Sequence, residues 1–124
     1  MDKAQSLYEF WSRFLPAYDE NTVPTADFSP AFPYLTYSTI TDSMGYPVQL
    51  NANLWYSSTS WEDIQKKADE IAEYLGYGGR VVRIDGGFVW LVKGNPFAQR
   101  MADEASDSIR RIYINVQAEY LTAY

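Results

Sequence analysis

Residues 46–76 read YPVQLNANLWYSSTSWEDIQKKADEIAEYLG, and two hydrophobic patterns follow each other within them. Across 48–56 every second residue is apolar, and most of the residues between carry side-chain amides. This alternation predicts a β-strand with one face in a hydrophobic core and the other face free for water or a partner.

The second pattern places apolar residues at helical intervals across 61–75 and predicts an amphipathic helix that packs on the strand. Ser60 and Asp63 have the spacing of a reciprocal capping box at the start of this helix. Gly76 suits the left-handed residue that commonly ends a helix. The residues expected to meet between helix and sheet are Leu50, Leu54, Ile71, Leu75, Ile114 and Val116.

The remaining patterns predict a single α+β domain over residues 1–124. We expect an antiparallel sheet of about five strands, with one main helix packed on it and an N-terminal helix. Long connections are expected at 16–33, which is rich in proline, and at 94–108, which Gly94-Asn95-Pro96 opens. The other predicted elements are a helix at 3–15 and strands at 34–40, 80–84, 88–92 and 112–120.

Composition excludes several classes of function. The chain has no cysteine and no histidine, so it cannot form a disulfide, a zinc–thiolate site or a catalytic group that relies on imidazole. A formal charge of −6 at pH 7 opposes nonspecific binding to nucleic acid. No apolar run has the length of a membrane span, and the first residues do not resemble a signal peptide. We therefore expect a soluble, non-secreted protein that is not an enzyme and has no cofactor.

Carboxylates are frequent on the predicted main helix and could in principle bind a hard cation. Glu62 or Asp63 with Lys66 or Lys67 fits ordinary ion-pair spacing on a helix, and so does Asp69 with Lys66. We therefore expect a solvated face rather than a metal site.

Aromatic residues are unusually frequent, with four Trp, eleven Tyr and six Phe among 124 residues. Large rings fill the core of a small domain, and they also dominate the energetics of protein interfaces. This number of rings exceeds what a core of this size needs. Some of them are therefore expected on surfaces that become buried on association.

Five motifs follow one another in a fixed order between residues 33 and 115: PYLTY (33–37), VQLNANLW (48–55), SWE (60–62), PFAQRMAD (96–103) and SIRRIYIN (108–115). Together they resemble the tail terminator proteins of long-tailed bacteriophages, also called tail completion or minor capsid proteins. The last two motifs are similar to the version found in phages of Gram-positive hosts.

The resemblance implies a structural virion protein that forms a ring, a hexamer, on the last ring of the tail tube. Such a ring ends tube polymerisation and provides the head–tail joining surface. The implied partners are further copies of the chain, the tail tube protein and the head-side connector, with DNA only as passing cargo in the lumen and no membrane. The implied location is the head-proximal end of the virion tail, and the host cytoplasm during assembly.

Two other functions fit the sequence. The first is another phage neck or tail component, such as a head-completion or tube-like subunit. The second is a small aromatic-rich carbohydrate-binding module that uses Trp55, Trp61 or Trp90 as a stacking platform.

Contacts with neighbouring subunits and partners are expected in the two long connections, because ordering a loop can wrap it around a neighbour. Phe and Met offer adaptable apolar anchors, and Arg offers bidentate bonds to carboxylates. The alternative for 96–111 is a locally folded loop, with Phe97 packed on its own sheet and Arg100 paired with Asp103. The candidate interface residues are Pro24, Phe28, Phe32, Phe97, Arg100, Met101, Arg110 and Arg111.

Overall fold

A curled sheet of six strands forms the centre of the computed structural model, which describes residues 1–22, 30–102 and 107–124. The strand order is β1-β2-β3-β6-β5-β4, and α1 and α2 pack on one face. The predicted α+β class is confirmed. The elements are α1 (Lys3–Ser12), β1 (Ala17–Asp19), β2 (Tyr34–Tyr37), β3 (Val48–Ser57), α2 (Glu62–Leu75), β4 (Arg80–Ile84), β5 (Gly87–Met101) and β6 (Ile109–Thr122).

The prediction of an antiparallel sheet of about five strands is wrong in one respect. The sheet has a sixth strand, β1, which runs parallel to β2. This strand lies in the first predicted connection. The Leu35 amide donates to the Pro16 carbonyl at 2.9 Å, and the Glu20 amide donates to the Tyr37 carbonyl at 2.9 Å. A strand of three residues is too short to show an alternating pattern, so the sequence gives no sign of it.

The second predicted connection is wrong over its first half, because β5 continues through 94–96 and ends at Met101. The chain shifts register against β6 between Lys93 and Ala98 and then pairs again. At the shift, the Asn115 side-chain amide donates to the Pro96 carbonyl at 3.0 Å. Gly94 and Pro96 therefore mark a bulge within a strand, which is a common position for both residues.

Both helices begin or end close to their predicted limits. The main helix begins at Glu62, whose amide donates to the Ser60 hydroxyl at 3.1 Å, and no capping box with Asp63 forms. It ends at Leu75, and Gly76 follows with the expected positive φ of 67°, although its ψ of −173° is outside the left-handed helical region. The N-terminal helix ends at Ser12, three residues before the predicted end.

The core lies between the helices and the concave side of the sheet. One helix, α1, contacts both edge strands, β1 and β4, so it bridges the two edges of the curled sheet. The predicted core is confirmed, since six residues are at most 1% exposed: Leu50, Leu54, Ile71, Leu75, Ile114 and Val116.

Candidate interaction surface

The face of the sheet opposite α1 and α2 has no covering layer in the described ranges, and we call it the open face. The strand register assigns side chains to it, because the residues paired across neighbouring strands share a face. Three groups of side chains occupy it: an amide band at the centre, an aromatic stack toward β1 and an apolar patch toward β4.

The amide band lies on β3 and β6. Gln49 donates from Nε2 to Asn115 Oδ1 at 2.9 Å and approaches Asn51 Oδ1 at 3.5 Å. Gln117 lies opposite Gln49 in the register. The Oδ1 atom of Asn53 is buried and has no hydrogen-bond partner among the described residues. Asn115 is buried, so the exposed uncharged polar groups of the band are the side-chain amides of Gln49 and Gln117.

The aromatic stack begins at Arg111, whose guanidinium lies 5.3 Å from the ring centre of Trp55. Trp55 stacks on Tyr34 with 6.1 Å between ring centroids and 16° between planes. Tyr34 in turn contacts Phe32 at 5.3 Å and Tyr18 at 6.2 Å. Burial raises the pKa of the Tyr34 hydroxyl above its usual value. The stack is therefore a continuous, partly desolvated layer across four strands.

The apolar patch consists of Val81, Phe88 and Trp90 on β4 and β5, which are 60%, 44% and 38% exposed. Val81 and Trp90 are opposite each other in the register. The Trp90 indole donates to the Gly78 carbonyl at 2.9 Å, which fixes the orientation of its ring. Adjacent exposed apolar side chains of this size commonly mark a surface that another molecule covers.

Beside the patch lies a depression of about 140 Å³, which we call the Trp90 depression. Its lining residues are Pro47, Trp90, Val92, Gln117 and Glu119. Trp90 and Glu119 are opposite each other in the register of β5 and β6. The half-buried Glu119 carboxylate makes no hydrogen bond or ion pair with any described residue. The depression thus combines apolar walls with a carboxylate that forms no ion pair within the described residues.

Two of the predicted interface arginines are held by contacts within the chain. Arg100 and Arg110 both lie over Trp61, with 5.0 Å and 5.1 Å between guanidinium carbon and ring centre. Arg100 also donates to Gln65 Oε1 at 3.1 Å, and Arg110 donates to the Thr59 carbonyl at 2.7 Å. These contacts fasten the end of the β5–β6 pair to α2. That Arg100, Arg110 and Arg111 contact a neighbouring subunit stays a prediction.

The other predicted interface residues fall in separate places. Phe97 is half-buried and packs against the core, as the locally folded alternative expects. Met101 lies opposite Arg111 on the open face, whereas Phe32 is exposed at the aromatic stack. Pro24 and Phe28 lie outside the described residues, and so does Asp103, the partner that the locally folded alternative expects for Arg100.

The sequence did not identify the Trp90 depression. Alternation within each strand places Trp90 on one side of β5 and Glu119 on the outward side of β6. Only the register between the two strands brings these side chains together.

Two of the carboxylates on α2 form ion pairs, whereas the expected pair of Asp69 with Lys66 does not form and Asp69 accepts a hydrogen bond from Gln65 instead. Lys66 contacts Glu62 at 3.2 Å and Lys67 contacts Glu70 at 3.1 Å. Within the described ranges, no group of three or more acidic side chains is placed to hold a metal ion.

No protein-family model matches this chain, and no curated protein is significantly similar to it. Neither α1 nor α2, the helices of the described residues, combines the length and the apolar character that crossing a membrane requires.

Proposed function

We propose that this chain is a structural subunit of a phage tail, which forms a ring on the tail tube, ends tube growth and joins the tail to the head. The resemblance in motif order suggests this role. The observation that carries it is the open face, where an uncharged amide band lies between two groups of apolar and aromatic side chains.

A closed ring needs two different surfaces on each subunit, because head-to-tail contacts join unlike patches. The apolar patch is the first surface in this proposal. The second is the free edge of β5, since β4 pairs with only Gly87–Leu91 and leaves 92–101 without a neighbour on that side among the described residues. Edge strands of this length readily pair with another chain.

The bulge at Gly94–Pro96 and the exposed Lys93 interrupt this edge. Such features limit pairing to a partner with a matching shape, because a bulge and a charge disfavour indiscriminate strand addition. The edge therefore suits a specific contact in an ordered assembly. Another neck or tail component would use the same surfaces, and its position in the particle would distinguish it.

Electron microscopy of tails tests the proposal. Deleting the chain from its phage should give tubes of irregular, excessive length without heads. The double substitution Val81→Asp with Phe88→Asp should have the same effect, because it places two charges in the apolar patch. Tyr77→Asp is the matched control, since Tyr77 is fully exposed and lies outside the patch. Tails of normal length with heads attached in the deletion would overturn the proposal.

A further inference from the structure

The Trp90 depression is smaller than a site for a cofactor or a drug-sized molecule. Its volume of 140 Å³ lies well below the roughly 300–1,000 Å³ of such sites. An occupant is therefore a single side chain or a group of similar size.

The chemistry of the walls restricts which side chain fits. Pro47 and Val92 provide apolar surface, and Trp90 provides an aromatic ring. A purely apolar side chain would take water from the Glu119 carboxylate without giving it a partner, which is unfavourable. An acidic side chain would be repelled by the same carboxylate.

A basic side chain can make a favourable contact with every residue that lines the depression. Its methylene stem packs on Pro47 and Val92, as the stems of Lys and Arg do on apolar surface. Its cation lies near the Trp90 ring and pairs with the Glu119 carboxylate. The amide of Gln117 can accept one further hydrogen bond from a guanidinium or ammonium group.

The other tryptophans show why Trp90 differs. Trp61 and Trp55 already have arginine guanidinium groups over their rings, and Trp11 is completely buried. Trp90 is 38% exposed, and no cation lies over it in the described part of the chain. Arginine–tryptophan contacts therefore form within the chain at Trp55 and Trp61. Trp90, which lies beside the Glu119 carboxylate, has no such contact among the described residues.

We propose that the Trp90 depression binds an arginine or lysine side chain presented by a partner protein, with Glu119 as the counter-ion. This inference goes beyond the proposed ring, because it defines the side-chain chemistry of one site for whichever protein docks there. The sequence predicts that arginines of this chain bind carboxylates of a neighbour. In this site the charges are exchanged, because this chain supplies the carboxylate and the partner supplies the cation.

The test uses the indole N–H signals of the full ¹⁵N-labelled chain, which has four tryptophans. The probes are Nα-acetyl-arginine amide, Nα-acetyl-leucine amide and methyl glucoside, and Trp90→Phe assigns the Trp90 signal. We expect the arginine probe to shift the Trp90 signal saturably and to leave the signals of Trp11, Trp55 and Trp61 in place. Raising NaCl to about 1 M should weaken the effect, because salt screens an exposed ion pair.

Glu119→Gln should weaken binding of the arginine probe about fivefold, because it removes the charge of the pair. Glu73→Gln is the matched control on the exposed side of α2 and should change nothing. If Glu119→Gln does not fold, the salt dependence of the parent chain tests the same pair. The proposal is overturned if the leucine probe or the glucoside shifts Trp90 as strongly, or if Glu119→Gln or added salt has no effect.

The basic side chain could also come from a second copy of this chain. Recording the Trp90 signal over a dilution series distinguishes this source, because contacts between copies are lost on dilution. A Trp90 shift that depends on protein concentration and disappears in Glu119→Gln would identify a basic residue of another copy as the occupant. The same shift persisting in Glu119→Gln would indicate an apolar contact and contradict the proposed chemistry.

Discussion

At the scale of single residues, Tyr120 shows how one polar group is accommodated in the core. It is 1% exposed, and its hydroxyl donates to the Ile40 carbonyl at 2.6 Å. Burial raises the pKa of this hydroxyl to about 12, and the Asp42 carboxylate adds to the increase. The alternation in β6 predicts the inward position of Tyr120, but no local pattern identifies a hydrogen-bond partner so distant in sequence.

The raised pKa predicts a loss of stability in alkali. Below the ordinary pKa of 10.0, Tyr120 is neutral in both states and its contribution is complete. Between pH 10 and about 12 only the unfolded chain loses the proton, so the free energy of unfolding falls as the pH rises. The total loss from this group is about 2–3 kcal/mol. Tyr34, Tyr37 and Tyr56, whose pKa values burial also raises, act in the same direction.

Urea unfolding of Tyr120→Phe across this range measures the effect. We expect the variant to be less stable at neutral pH, because the Ile40 carbonyl loses its donor, and to lose less stability in alkali than the parent. Tyr77→Phe serves as the control on a fully exposed ring. Equal pH dependence in the parent and in Tyr120→Phe would show that Tyr120 does not titrate in this way.

At the scale of elements, the sequence predicts those that carry their own periodicity. The alternation of β3 and the helical spacing of α2 are each complete within one segment, so both were predicted. The strand β1 and the second half of β5 are defined by bonds from elsewhere, such as the one from Asn115 to the Pro96 carbonyl. Gly94 and Pro96 alone suggest a loop. They form a bulge because β6 pairs with β5 on both sides of them, and the local sequence does not show this pairing.

The bulge gives a prediction for Gly94. A Cβ atom there would lie 2.8 Å from the Asn115 Cβ and 2.9 Å from its carbonyl oxygen. Gly94→Ala should therefore lower the free energy of unfolding by about 1–3 kcal/mol, as overpacking typically does. Thermal unfolding compares it with Gly78→Ala, where an added Cβ meets nothing within 4 Å. Similar melting temperatures for the two variants would show that β5 and β6 do not approach so closely.

At the scale of the whole molecule, the two faces of the sheet differ in what covers them. Its concave side forms the core with α1 and α2, whereas its open face presents amide, aromatic and apolar side chains. The sequence predicted that one face of β3 would be free, and it predicted aromatic residues on some surface without saying which. The structure places Tyr34, Trp55 and Trp90 on the open face. It could not predict which arginines are occupied within the chain, because the contacts of Arg100 and Arg110 with Trp61 join three distant segments.

Native mass spectrometry tests the ring proposal most directly. The purified chain is mixed with the tail tube protein of the same phage, so that the result does not depend on whether the free chain is a monomer. The proposal predicts a complex in which a closed ring of this chain, a hexamer, is bound to the tube protein, and it predicts that Val81→Asp with Phe88→Asp prevents its formation. A chain that remains a monomer at every concentration, both alone and beside assembled tubes, would contradict the proposal.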